Sequence, residues 1–90
     1  MKILEGNIGV LDDLKQHSKT VGLKQSLRAV EAGRVQAVYI AEDADDRVVA
    51  RVIDMCRAKN IEIRKTDSMK ALGRACGIDV GTAVAAIMKD

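Results

Sequence analysis

The sequence predicts an α/β fold in which a small sheet is covered by helices on both faces. Three observations point that way. Segments with helical spacing of apolar residues alternate with short apolar runs of strand character. The polar stretches between them are short, mostly about two to six residues. Ninety residues with 48% apolar content suffice for one modest core, so residues 1–90 are expected to form a single domain.

The elements follow in order. Residues 10–18 carry Val10, Leu11, Leu14 and Ser18 at helical spacing, with His17 beside them, and predict a short helix. A second helix is predicted over 23–32, where Leu23, Leu27 and Val30 fall at i, i+4 and i+7. Thr20 or Gly22 is expected to cap its start and Gly33 to stop it. The run Val35 to Ala41 reads as a buried strand. The acidic turn Glu42 to Asp46 then suits the positive end of a helix over 47–59, whose apolar face holds Val48, Val49, Val52, Ile53 and Cys56. Asn60 ends that helix. Ile61-Glu62-Ile63 alternates like a strand. Asp67 or Ser68 is expected to cap a further helix with Met69, Leu72 and Cys76 inward, stopped by Gly77. Residues 83–88 read as a last buried strand.

Composition narrows the function. Tyr39 is the one aromatic residue, so the core is aliphatic. The chain also lacks the aromatic platform on which many folds stack single-stranded bases. The formal charge of +2 permits nucleic-acid binding without demanding it. Cys56 and Cys76 are widely separated, and with the single His17 they make no zinc pattern, so they are expected to be small core residues. No signal peptide or long apolar run is visible, which points to a cytoplasmic protein that no membrane holds.

No catalytic constellation stands out. There is no Ser-His-Asp spacing, P-loop or paired-His metal motif. His17 reads as a surface or boundary residue. The acidic run lacks the length and terminal Glu of a calcium loop and is better read as a capped helix start. No enzyme, cofactor or metal is expected.

Two segments are more informative. The helix predicted from residue 23 carries Lys24, Gln25 and Arg28 on its polar side; the two cations at i and i+4 repel slightly, and Lys24 lies in the first turn, where the helix dipole disfavours positive charge. An anion docked at the free N–H groups of that end reverses the penalty. Gly22 lets a backbone come close. Lys15, Lys19 and Arg34 are candidates for the same neighbourhood. A solvated basic face is the plainer reading of the same residues. The second segment is Gly77-Ile78-Asp79-Val80-Gly81, where two apolar side chains flank a carboxylate in a turn. They either tuck into the core or form an exposed apolar contact.

Taken together, two runs resemble the L7Ae family of ribosomal and kink-turn RNA-binding proteins. One is Val21-Gly22-Leu23-Lys24-Gln25-Ser26-Leu27-Arg28 with Glu31-Ala32-Gly33. The other extends from Ser68 to Gly81. The resemblance covers about residues 10–88 and implies a three-layer α/β/α sandwich with a small mixed central sheet. It also implies a target: an RNA duplex bent sharply at a bulge beside tandem sheared G·A pairs. On this resemblance Gly22, Leu23, Lys24, Gln25 and Arg28 meet the G·A pairs, and Ile78, Asp79 and Val80 cover the bulged nucleotides. The ribosome is a candidate partner, and a monomer is expected. The chain departs from the usual pattern in three places. Lys24-Gln25 stands where Asn-Glu is common and looks like the bacterial branch. Leu23 replaces a small or hydroxylated residue, and Arg28 replaces Lys. The alternative is a ribosome-associated protein-interaction domain of the same fold without specific kink-turn contacts.

Overall fold

The computed structural model describes Leu14 and residues 17–89. Seven elements lie in these residues: β1 (Lys19–Val21), α1 (Leu23–Glu31), β2 (Val35–Ala41), α2 (Asp46–Ala58), β3 (Glu62–Thr66), α3 (Met69–Ala75) and β4 (Val84–Met88). Most of the predicted helix over 10–18 lies outside the described residues. Leu14 is helical and fully buried, whereas His17 sits in a bend and is half-buried, so Ser18 falls beyond that helix.

The four strands form one mixed sheet in the order β1-β4-β2-β3. β4 runs antiparallel to both of its neighbours, and β2 is parallel to β3. Hence β1, β2 and β3 point one way and β4 the other. Both β1–α1–β2 and β2–α2–β3 are therefore crossovers between parallel strands, which a helix can span. α1 and α2 pack against each other, while α3 lies on β2, β3 and β4. A mixed sheet covered by two helix groups is the α/β architecture that the alternating pattern predicts.

The core is aliphatic, as the composition requires. Val38, Val52, Leu72, Val84 and Ile87 are buried, with Val30 closing it from α1. Burial of this apolar area is the main favourable contribution to folding. Tyr39 is fully buried, and its phenol oxygen accepts a 2.6 Å hydrogen bond from Arg64, which also pairs with Glu62. Cys56 is fully buried and Cys76 only half-buried; both are free thiols, and burial pushes both pKa values up. No described helix is long and apolar enough to cross a membrane.

Four sequence expectations are corrected or decided. Thr20 does not cap α1. It belongs to the short strand β1, which pattern alone missed, and its hydroxyl pairs with that of buried Ser26 at 3.0 Å. Three residues are too few to show strand alternation. The strand expected at 61–63 is Glu62–Thr66, because pairing with Ala37–Ala41 of β2 carries it past the polar residues Arg64 and Lys65. The helix over 47–59 is shifted one residue earlier, because Asp45 caps it by accepting the Arg47 N–H at 2.8 Å. Ser68, rather than Asp67, caps α3 by accepting the Ala71 N–H at 3.0 Å.

Candidate nucleic-acid interface

Strand direction decides where the candidate residues meet. The ends of β1, β2 and β3 and the beginning of β4 all lie at one end of the sheet, with Val21 opposite Ala85, Ile40 opposite Val84 and Ala41 opposite Thr66. Four connections gather there: Gly22, the acidic turn 42–45, the segment 67–68 and the loop 77–83. Loops beyond the carboxyl ends of parallel strands commonly hold ligands.

Gly22 opens the site. Its φ of 97° and ψ of 160° lie where side-chain-bearing residues are strained, and this backbone turns β1 sharply into α1. No side chain caps the helix, so its first turn retains unsatisfied N–H groups. Leu23 packs partly against the core, which fits the departure from a polar residue there. Ser26 and Val30 are buried, and this fixes the rotation of the helix. Lys24, Gln25 and Arg28 consequently point outward and are exposed. Among the described residues, neither Lys24 nor Arg28 is held in an ion pair.

The loop after α3 arrives beside this helix start. The Gly22 N–H donates to the Val84 carbonyl at 2.8 Å, and the same oxygen accepts the Thr82 hydroxyl at 3.0 Å. One carbonyl therefore ties the entrance of α1 to the end of the 77–83 loop. Val80 does not tuck into the core: it is 70% exposed. Asp79 is exposed beside it, and Ile78 is half-buried. The loop thus offers an apolar tip at the end of the sheet where α1 begins.

One of the basic residues expected nearby is elsewhere. Arg34 precedes β2, and its carbonyl accepts the Lys89 N–H at 2.7 Å, so it lies at the opposite end of the sheet. Lys19 begins β1 opposite Ile87, and its charge acts on Cys76 at the start of the loop after α3. The displacement of Arg34 follows from strand direction, which single-sequence patterning does not give. Lys15 lies outside the described residues. The acidic turn shares the site's end, but two of its carboxylates are engaged locally. Asp43 accepts the Met69 N–H at 2.8 Å, and Asp45 holds Arg47, whose guanidinium and N–H keep that carboxyl below the usual range.

Comparison with known proteins gives this arrangement a family. The model of the ribosomal protein L7Ae/L30e/S12e/Gadd45 family matches residues 8–90. The chain belongs to this family. This L7Ae-family protein is 52% identical over 68 residues to an RNA-binding protein of Caldanaerobacter subterraneus subsp. tengcongensis, a match covering 76% of this chain and 83% of the relative. It is 42% identical over 69 residues to the RNA-binding protein YbxF of Geobacillus stearothermophilus, covering 77% and 84%. Among solved structures, a 15.5 kD RNA-binding protein of Giardia lamblia superposes with a TM-score of 0.82 at 33% identity, over 90% of this chain and 72% of that one. The expectation that the chain is not an enzyme agrees with membership of this non-enzymatic family.

Sequence reasoning missed the residues that hold the L7Ae-family loop in place. Gly73 is buried inside α3, where a Cβ would overlap the Val80 carbonyl oxygen and lie 3.0 Å from Gly81 Cα. A Cβ on Gly81 would lie 3.1 Å from the backbone of Met69. The signal was present: glycine in a helix interior costs about 1 kcal/mol relative to alanine and usually marks a close backbone approach.

Proposed function

We propose that this protein binds RNA and that its target is the kink-turn. The α1 entrance meets the tandem G·A pairs, and the loop tip covers the bulged nucleotides. Lys24 donates to guanine edges or phosphates but cannot accept. Gln25 can do both. Arg28 can pair bidentately with guanine O6 and N7. Ile78 and Val80 offer apolar surface to unstacked bases, with Asp79 between them. One observation carries the reading: an outward-facing Lys24/Gln25/Arg28 surface, whose two cations are in no ion pair among the described residues, and an exposed Val80 tip adjoin the two ends of one tie, through the Val84 carbonyl.

The physics suits such a target. An A-form duplex hides its base edges in a deep, narrow groove, so a protein reads a distortion instead. A sharp bend crowds phosphates and is poorly populated alone. A protein that fits only the bent form raises its population by its differential affinity for the two forms, with no bond made or broken. On this reading the protein works as a cytoplasmic monomer on structured RNA, the ribosome's included.

The test is a titration of the protein against a standard kink-turn duplex and against the same duplex with its G·A pairs changed to Watson–Crick pairs. Binding should be tight to the first and at least about ten-fold weaker to the second, a difference near 1.4 kcal/mol. Equal affinities would overturn kink-turn recognition and favour the protein-interaction alternative.

A further inference from the structure

We propose that Gly73 is a positioning residue that sets the stance of the Ile78–Val80 loop, so that the RNA-facing tip is already shaped before RNA arrives. The inference rests on the kink-turn reading for its consequence and on backbone geometry for its substance.

Glycine is a poor choice inside a helix, and Gly73 is the fifth of seven residues in α3. Its backbone needs no left-handed conformation, unlike that of Gly22, Gly33 and Gly77. The need is for space. The Val80 carbonyl rests directly on Gly73, with Gly81 Cα crowding from the side. Hydrogen bonds clamp the loop on either flank: Ile78 N–H donates to the Gly73 carbonyl at 3.1 Å, and Thr82 N–H donates to the Met69 carbonyl at 3.1 Å. Gly81 repeats the arrangement from the loop side by lying against the Met69 backbone.

The result is a backbone-to-backbone seam between α3 and the loop. With the Val80 carbonyl turned toward α3, its side chain remains exposed. From Thr82 the seam continues to the Val84 carbonyl and so to Gly22. The height of Val80 relative to Lys24, Gln25 and Arg28 is thus set by backbone contacts, with Gly73 at their centre. Any side chain at position 73 lifts the loop, and a shape-selective site is sensitive to such a shift. A tip built this way does not have to be ordered at the moment of binding, which removes one cost of association.

A double-mutant cycle on kink-turn RNA tests this. The proteins are the wild type, Gly73→Ala, an alanine loop (Ile78→Ala, Asp79→Ala and Val80→Ala together) and their combination. Gly73→Ala should weaken binding about ten-fold in the native loop and by less than about two-fold in the alanine loop, because no tip then remains to misplace. Equal fold-losses in both backgrounds would overturn the positioning role, since a merely structural glycine acts the same in each. Should Gly73→Ala not fold, Gly81→Ala, with its milder contact, enters the same cycle with the same criterion. Amide exchange of the free wild type gives a second readout. The Ile78 and Thr82 N–H groups should be protected, and exchange at unfolded-chain rates would refute a pre-shaped tip. If the wild type fails to distinguish the kink-turn from its Watson–Crick version, the kink-turn reading falls, while amide exchange still decides the seam.

Discussion

The Gly22 N–H and the Val84 carbonyl meet at 2.8 Å and join the first turn of α1 to the strand that follows the 77–83 loop. The buried Thr82 hydroxyl shares that oxygen at 3.0 Å. Thr82→Val removes this donor while Gly22 continues to satisfy the acceptor. The loss in stability should therefore be limited to about 0.5–1.5 kcal/mol, measured by urea titration. RNA affinity should fall as well, because the loop is anchored through this residue.

Gly22→Ala separates conformational from steric cost. A Cβ there would meet nothing within 4 Å, so crowding adds no penalty. The backbone, at φ 97° and ψ 160°, is nevertheless one that alanine adopts only under strain. Destabilisation of roughly 1–3 kcal/mol is expected from denaturant unfolding. An unchanged midpoint would show that the turn into α1 can relax without loss.

Lys24→Ala, Gln25→Ala and Arg28→Ala together should leave the fold intact. All three side chains are exposed and none packs into the core. The expected stability change is within about 0.5 kcal/mol, and removing two like charges at i and i+4 works in the stabilising direction. Kink-turn binding should fall sharply in a gel-shift titration, and the salt dependence of what remains should be shallower because phosphate contacts are lost.

Asp45 provides a pH readout at α2. Its carboxylate is hydrogen-bonded by the Arg47 side chain and backbone N–H, which depress its pKa. A depressed folded value means that the cap contributes fully above the ordinary carboxylate range and is lost as pH falls through the depressed value. A side-chain NMR titration should give a midpoint below that of an unstructured Asp. Asp45→Asn, which retains a capping oxygen, should remove the acid-side dependence while keeping the helix start.

Much of this architecture is legible in the sequence because the signals are local. Leu23, Leu27 and Val30 mark one helix face, and Gly33 and Gly77 mark the helix ends where positive φ is observed. The outward turn of Lys24, Gln25 and Arg28 follows from that face. What could not be read is non-local. β1 exists because Thr20 and its neighbours pair with Ala85, Ala86 and Ile87, more than sixty residues away. Arg34 lies at the far end of the sheet because of strand direction. The 70% exposure of Val80 depends on the loop resting on Gly73, a contact that only the folded backbone brings about.

β4 is the last of the described strands in sequence, yet it lies between β1 and β2. A growing chain can form α1 and α2 early, but β1 has no neighbouring strand until residues 84–88 emerge. The Gly22 tie waits for the same moment. Assembly of this end of the sheet therefore depends on long-range pairing, the slow kind of contact in folding. On the proposed reading, the surface offered to RNA is complete only once β4 has slotted between β1 and β2.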